Sequence, residues 1–238
     1  MSRFPSLLLA ALLSVAAPFV VSDASADGPA ASAQPATPPA SQKDTDDTVN
    51  KVQAFYDSTT TFVSDFTQEF FVKSHNVRKQ SNGYVAFAKP GKMAWTYANP
   101  AGNRVVSDGS VLKVYEAANK QMFEQTVDKS QYPAALSFLT GTGKLSDSFT
   151  FVMYPGEANN FNFPNGKVLV GSPKQSNAAY TKVLFYVDNA SFQVRRVLIV
   201  DAQGNRNRFD FVTPQVNTPV PDSTFQLVVP AGTQVIKP

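Results

Sequence analysis

The residues able to do chemistry are few and scattered. The chain has one histidine, His75, and no cysteine. A lone imidazole does not build a multi-histidine metal site, and no Asp/Glu cluster at ligand spacing accompanies it. Serines and aspartates are plentiful enough for a Ser-His-Asp arrangement, but no Gly-x-Ser-x-Gly elbow is there to present the nucleophile. His75 sits in Lys73-Ser74-His75-Asn76, between two strand patterns, where an exposed turn is expected. Gly141-Thr142-Gly143-Lys144 lacks the spacing of a phosphate-binding loop and reads as a helix-ending turn. Without cysteine there is no thiolate catalysis, no thiolate metal site and no lipidation of an N-terminal cysteine. The expectation is a chain that is not an enzyme and uses neither metal nor cofactor.

The distinctive chemistry is apolar. The chain carries 19 Phe and 8 Tyr against one Trp, with only 16% charged residues. Rings in that number either fill a core or face an apolar ligand. The net charge of +3 comes from dispersed Lys and Arg, so no nucleic-acid footprint is expected.

The elements that must position the rings follow from the hydrophobic period. Arg3, the apolar run Leu7 to Val21 and the small residues Ala24-Ser25-Ala26 have the layout of a cleavable export signal over residues 1–26. Export to the periplasm is therefore expected, with the mature chain starting at Asp27. The Pro/Ala/Ser-rich tract that follows has nothing to bury, and residues 27–47 are assigned to a disordered linker. Residues 48–238 form the expected domain. Asp46, Asp47 and Thr48 are N-cap candidates for a helix whose Val49, Val52, Phe55 and Tyr56 share one face. From Thr61 the period becomes 2. Phe62, Phe66, Phe70 and Val72 share a strand face, then Val85 and Phe87, then Met93, Trp95 and Tyr97 after the Lys89-Pro90-Gly91 turn. Asp108-Gly109 suits a tight hairpin between Val105-Val106 and Val111–Tyr115, and a further strand runs from Met122 to Val127. Pro133 to Leu139, stopped by Gly141, is the second expected helix. Strands resume at 149–153, 167–170, 180–187, 194–200, 206–212 and 225–229. Many short strands with two helices predict a mainly β (α+β) fold, one antiparallel meander curled into a barrel or half-barrel.

Several segments resemble one family. Ser64-Asp65-Phe66-Thr67-Gln68 after a short amphipathic helix is similar to the opening of the outer-membrane lipoprotein carriers. Gly83-Tyr84 and Lys89-Pro90-Gly91-Lys92-Met93-Ala94-Trp95 continue the likeness, followed by Val106-Ser107-Asp108-Gly109. Phe225-Gln226-Leu227-Val228-Val229-Pro230-Ala231-Gly232 resembles the family's closing strand and turn. The resemblance implies an incomplete antiparallel β-barrel whose short helices form a lid over an apolar cavity. On that reading Phe62, Phe66, Phe70, Met93, Trp95 and Tyr115 line the acyl-chain cavity. Val52, Phe55, Leu136, Phe138 and Leu139 belong to the lid. Lys89 stands where many members carry a lid-locking arginine, and lysine lacks that side chain's planar five-donor fork. The implied function is a periplasmic chaperone with acylated lipoproteins as cargo. Its implied partners are an inner-membrane lipoprotein-releasing ABC transporter and an outer-membrane acceptor, with the carrier itself a monomer. A carrier or sensor of other envelope lipids on the same fold is the alternative.

Overall fold

The computed structural model describes residues 41–127, 136–155, 161–176 and 179–237. The expected export signal (1–26), the first part of the linker (27–40) and Pro133 lie outside the described residues.

The first helix, α1, is Gln42–Asp57. Its N-cap is Ser41, whose side chain accepts from the Asp44 N–H. Helix therefore replaces the last six residues assigned to the linker, and the cap candidates Asp46, Asp47 and Thr48 lie inside it. The early turns carry no large apolar residue, yet Thr45 and Thr48 are buried. Their hydroxyls turn back on the carbonyls of Ser41 and Asp44, which lets these polar residues sit against the sheet.

Thirteen strands follow in one sheet among the described residues. They are β1 (Thr61–Val72), β2 (Val77–Ala88), β3 (Lys92–Asn99), β4 (Arg104–Asp108), β5 (Val111–Glu116) and β6 (Gln121–Thr126). After two one-turn helices, α2 (Ser137–Thr140) and α3 (Leu145–Ser148), come β7 (Phe149–Met153), β8 (Gly166–Pro173), β9 (Lys182–Asp188), β10 (Val194–Val200) and β11 (Arg206–Phe211). Two short pieces, β12 (Gln215–Val216) and β13 (Gln234–Ile236), complete the set. The order across the sheet is β13-β6-β5-β4-β3-β2-β1-β11-β10-β9-β8-β7, with β12 beside β1. Two antiparallel meanders thus meet where β1 pairs with β11. The edge strands β7 and β13 do not pair, so the barrel stays open, as the sequence predicts.

Two expectations about the C-terminal part need correction. The strand expected at 225–229 is absent; a single 3₁₀ turn covers Asp222–Phe225 and the chain then runs on outside the sheet. Its apolar residues are used by packing across a sheet face. Phe225 and Leu227 pack with Val63, Ala86, Ala94 and Val106, the outward-pointing residues of β1–β4. Beyond it β13 joins β6 in parallel, so the sheet is not wholly antiparallel.

The main core fills the concave side. It joins Val49, Val52 and Tyr56 of α1 and Leu136, Phe138 and Leu139 around α2 to the inward residues of the strands. Gly171 of β8 is needed there, because a Cβ would stand 3.0–3.2 Å from the rings of Phe151, Phe149 and Phe185.

Candidate functional site

The concave interior is an aromatic lattice. Phe62, Phe66, Met93 and Trp95 all point into it and are at most 2% exposed. The Trp95 ring meets Phe66 at 4.8 Å, Phe209 at 5.1 Å and Phe87 at 5.7 Å between centroids, while Phe62 meets Phe211 at 5.2 Å. Edge-to-face and tilted ring pairs of this kind add to the burial of the rings themselves. Phe70 is on the same face but only half-buried, at the far end of β1.

Tyr115 is not part of this interior. The pleat of β5 turns Leu112 and Val114 inward, so Tyr115 points to the convex side, across from Arg104 of β4. It is buried there. The run Val-Leu-Lys-Val-Tyr-Glu has apolar residues on both faces, and only the register says which face is which.

Helix α1 closes the interior, fastened at separate points along its length. Near its start, the Thr45 hydroxyl accepts the Met153 N–H at 3.2 Å, an amide on the free edge of β7. Farther along, Gln53 accepts the Leu145 N–H at 2.8 Å, satisfying the first amide of α3. In the last turn the Tyr56 hydroxyl accepts the Val194 N–H at 3.1 Å, where a register shift in β10 frees that amide. The Tyr56 ring also stands edge-on to Phe138 at 4.7 Å. Burial pushes the Tyr56 phenol well above the ordinary tyrosine value, with the Val194 bond opposing part of that rise. The phenol therefore stays neutral.

Lys89 completes the fastening. Its Nζ donates to the Tyr56 carbonyl and, at 3.4 Å, to the Asp57 carbonyl. These are among the last carbonyls of α1, which have no partner within the helix and favour a nearby cation. The same turn holds α2, because the Gly91 N–H donates to the Thr140 carbonyl at 2.9 Å. The stem of Lys89 crosses Gly141, where a Cβ would fall 2.7–2.9 Å from three of its carbons. Gly141 also has φ +70°. One turn between β2 and β3 thus grips the C-terminal ends of both helices.

Of the residues assigned to the lid, Val52 of α1 and Leu136, Phe138 and Leu139 around α2 are buried, while Phe55 is half-buried. The sequence misses what Tyr56, Gln53 and Thr45 do. Nothing in their spacing shows that their oxygens meet amides more than 90 residues away. At the opposite end of the interior, Gln68 donates to Asn207 at 2.9 Å and accepts from the Tyr97 hydroxyl at 3.2 Å, forming a buried polar layer. Tyr97 too has its phenol pushed up by burial.

His75 is exposed in the turn after β1, its Nδ1 sharing a hydrogen with the neighbouring Ser74 hydroxyl. No three His, Asp or Glu residues among those described gather as a metal site.

The family model of the outer membrane lipoprotein carrier protein LolA matches residues 57–228. The chain belongs to the LolA family. Relatives in it include the outer-membrane lipoprotein carrier protein of Bordetella avium, 27% identical over 188 residues, covering 79% of this chain and 86% of that one. That of Methylobacillus flagellatus is 25% identical over 191 residues, covering 80% and 89%. Among solved structures, an uncharacterized conserved protein from Thermus thermophilus shares the fold with a TM-score of 0.51 and 12% identity, covering 81% of this chain and 98% of that one. The LolA match begins at the last residue of α1, so the helix that covers the interior lies almost wholly before it.

Proposed function

We propose that this LolA-family chain is a periplasmic carrier that shelters the acyl chains of lipoproteins between α1 and the concave face of the sheet. On this reading it takes cargo from an inner-membrane lipoprotein-releasing ABC transporter and gives it to an outer-membrane acceptor. The observation that carries the proposal is how the interior is closed. An aromatic lattice is covered by a helix fastened through four point contacts to backbone groups, Thr45, Gln53 and Tyr56 as acceptors and Lys89 as donor. Few polar bonds over a large apolar face make a cover that can be released as a unit.

The energetics suit a carrier. A buried methylene is worth about 0.8 kcal/mol, so an acyl chain of about 14 methylenes brings on the order of 11 kcal/mol of drive to leave water. Opening the cover subtracts from that drive, because α1 must give up its place on the rings before the chain takes it. The difference is what the carrier retains, and it leaves room for hand-over.

Mass spectrometry of material extracted from the protein purified out of its native host tests this directly. An acylated polypeptide supports the proposal. Free lipids alone would mean a carrier of other envelope lipids and would overturn the lipoprotein reading.

A further inference from the structure

The outer face of the sheet carries an ordered row of side chains at the end farthest from α1. Register places Arg78 of β2 beside Phe71 of β1, Phe71 beside Arg206 of β11, Arg206 beside Val200 of β10, and Val200 beside Lys182 of β9. All five residues share one face, opposite to Phe70, Asn207, Ile199 and Val183. Cation and apolar residue alternate strand by strand, so the three cations stand about 10 Å apart along a line of about 19 Å. Arg78, Arg206 and Lys182 are exposed, and Phe71 and Val200 are half-exposed. Arg78 and Arg206 flank the Phe71 ring, their guanidinium carbons 4.6 and 5.9 Å from its centroid.

The nearby acids do not cancel this charge at the surface. Glu69 pairs with Arg78 at 2.8 Å, but its side chain is 20% exposed against 58% for the arginine, so the cation stands outward. Asp210 lies two residues farther in along the sheet and is held between Arg196 and Arg208. Asp201 is turned into its own loop, accepting from the amides of Gln203 and Asn205. Arg206 and Lys182 have no carboxylate at ion-pair distance among the described residues. The row also projects. β2 pairs with β3 only from Asn82 onward, which leaves the hairpin of Phe71 and Arg78 standing clear of β3, with Val77 43% exposed beside it.

We propose that this row is a docking surface for the anionic headgroup layer of a phospholipid membrane. Cations spaced along this line meet lipid phosphates, while the aromatic and aliphatic side chains between them enter the boundary of headgroups and acyl chains. A folded acidic partner would need no apolar residue between each pair of cations. The proposal does not depend on what the concave interior holds.

Flotation of the exported protein with vesicles tests it. Binding is expected to vesicles of phosphatidylcholine with phosphatidylglycerol, to weaken with added salt, and to be far weaker with phosphatidylcholine alone. The double substitution Arg206→Gln, Lys182→Gln removes two exposed, unpaired charges and should weaken partition by about 30-fold, at about 1 kcal/mol per cation near the surface. Lys120→Gln, Lys144→Gln removes two exposed charges elsewhere and should leave partition unchanged. Acyl-probe affinity should be the same in all three proteins, which separates failure of this proposal from failure of the carrier reading. Absence of binding to anionic vesicles, equal binding to neutral ones, or equal loss in the control variant would each overturn the proposal.

Discussion

Lys89 gives the sharpest test of how the cover is held. Replacing it by Met keeps a stem of similar length to lie across Gly141 and removes only the charged donor to the Tyr56 and Asp57 carbonyls. A hydrogen bond from a charged donor is worth about 1.5–3 kcal/mol, and the lower end applies because Lys89 is only half-buried. The cation at the helix C-terminus adds about 0.5 kcal/mol. Lys89→Met should therefore weaken the closed form by about 2 kcal/mol, or about 30-fold in the ratio of closed to open. If acyl chains enter only the open form, affinity for a fluorescent acyl probe should rise by as much as about 30-fold. The melting temperature of the empty protein should fall by about 4–8 °C, since a domain of this size loses about 2–4 °C per kcal/mol. Calorimetry and probe titration on the same preparation read both numbers. A lower melting temperature with unchanged affinity would refute the coupling, because the bond would then stabilise the fold without regard to the cover. A loss of affinity would show instead that Lys89 touches the cargo. Lys89→Arg, with its rigid five-donor fork, should move both quantities the opposite way.

Gly141→Ala should behave like Lys89→Met, because the added Cβ collides with the lysine stem at a residue held at φ +70°. The same pair of measurements checks it, and the double variant should be less than additive. Tyr56→Phe leaves the Val194 N–H buried without its acceptor and should cost about 1–3 kcal/mol in denaturant unfolding, with the ring contact to Phe138 kept. A loss below about 0.5 kcal/mol would mean that another acceptor serves that amide. The alkaline side of the pH dependence follows from the buried phenols. Burial raises Tyr56, Tyr97, Tyr180 and Tyr186 above the ordinary value, so the unfolded chain gives up these protons first. Their contribution is intact below about pH 10 and is lost as pH climbs through the raised folded values. Melting temperature should hold steady up to that pH and then drop steeply, with the tyrosinate absorbance of these four phenols appearing on unfolding.

The strands are legible in the sequence because period-2 patterns and turn residues coincide. At Asp108-Gly109, for example, the Asp108 carboxylate accepts the amides of Ser110 and Val111 and fixes the hairpin. Burial is less legible where both faces are covered. The segment carrying Phe225 lies over Val63, Ala86, Ala94 and Val106 on the convex side of β1–β4, so apolar residues occur on both faces there, and on β5 the run Val-Leu-Lys-Val-Tyr-Glu leaves Tyr115 unassigned by pattern. Helix α1 takes in the last six residues of the assigned linker because threonine does the work of an apolar residue in its first turns. The bonds that fasten α1 join residues that are distant in sequence, and single amides freed by a strand edge or a register shift leave no trace in composition.

The placement of polar groups bears on how far a chain entering from the α1 end could travel. Along β1 the inward residues run Phe62, Ser64, Phe66, Gln68 and Phe70, and the Ser64 hydroxyl is turned to the Asp65 carbonyl rather than into the interior. The first inward polar group met is therefore Gln68, about 20 Å along the strand from Phe62 at about 3.3 Å per residue. Gln68, Asn207 and Tyr97 are each no more than 8% exposed and satisfy one another. A methylene forced among them would break a buried hydrogen bond without replacing it, at about 1–3 kcal/mol, against a gain of about 0.8 kcal/mol for its own burial. If the interior takes acyl chains, entry into that layer costs more than it returns, and the layer then sets the depth of the site by chemistry rather than by a wall. Gln68→Leu removes that opposition at one point and leaves the Tyr97 hydroxyl and Asn207 amide unpaired. The variant should be less stable, yet its preference among acyl probes should move toward longer chains. An unchanged chain-length profile would show that cargo stops short of Gln68, held by the rings of Phe66 and Trp95 alone.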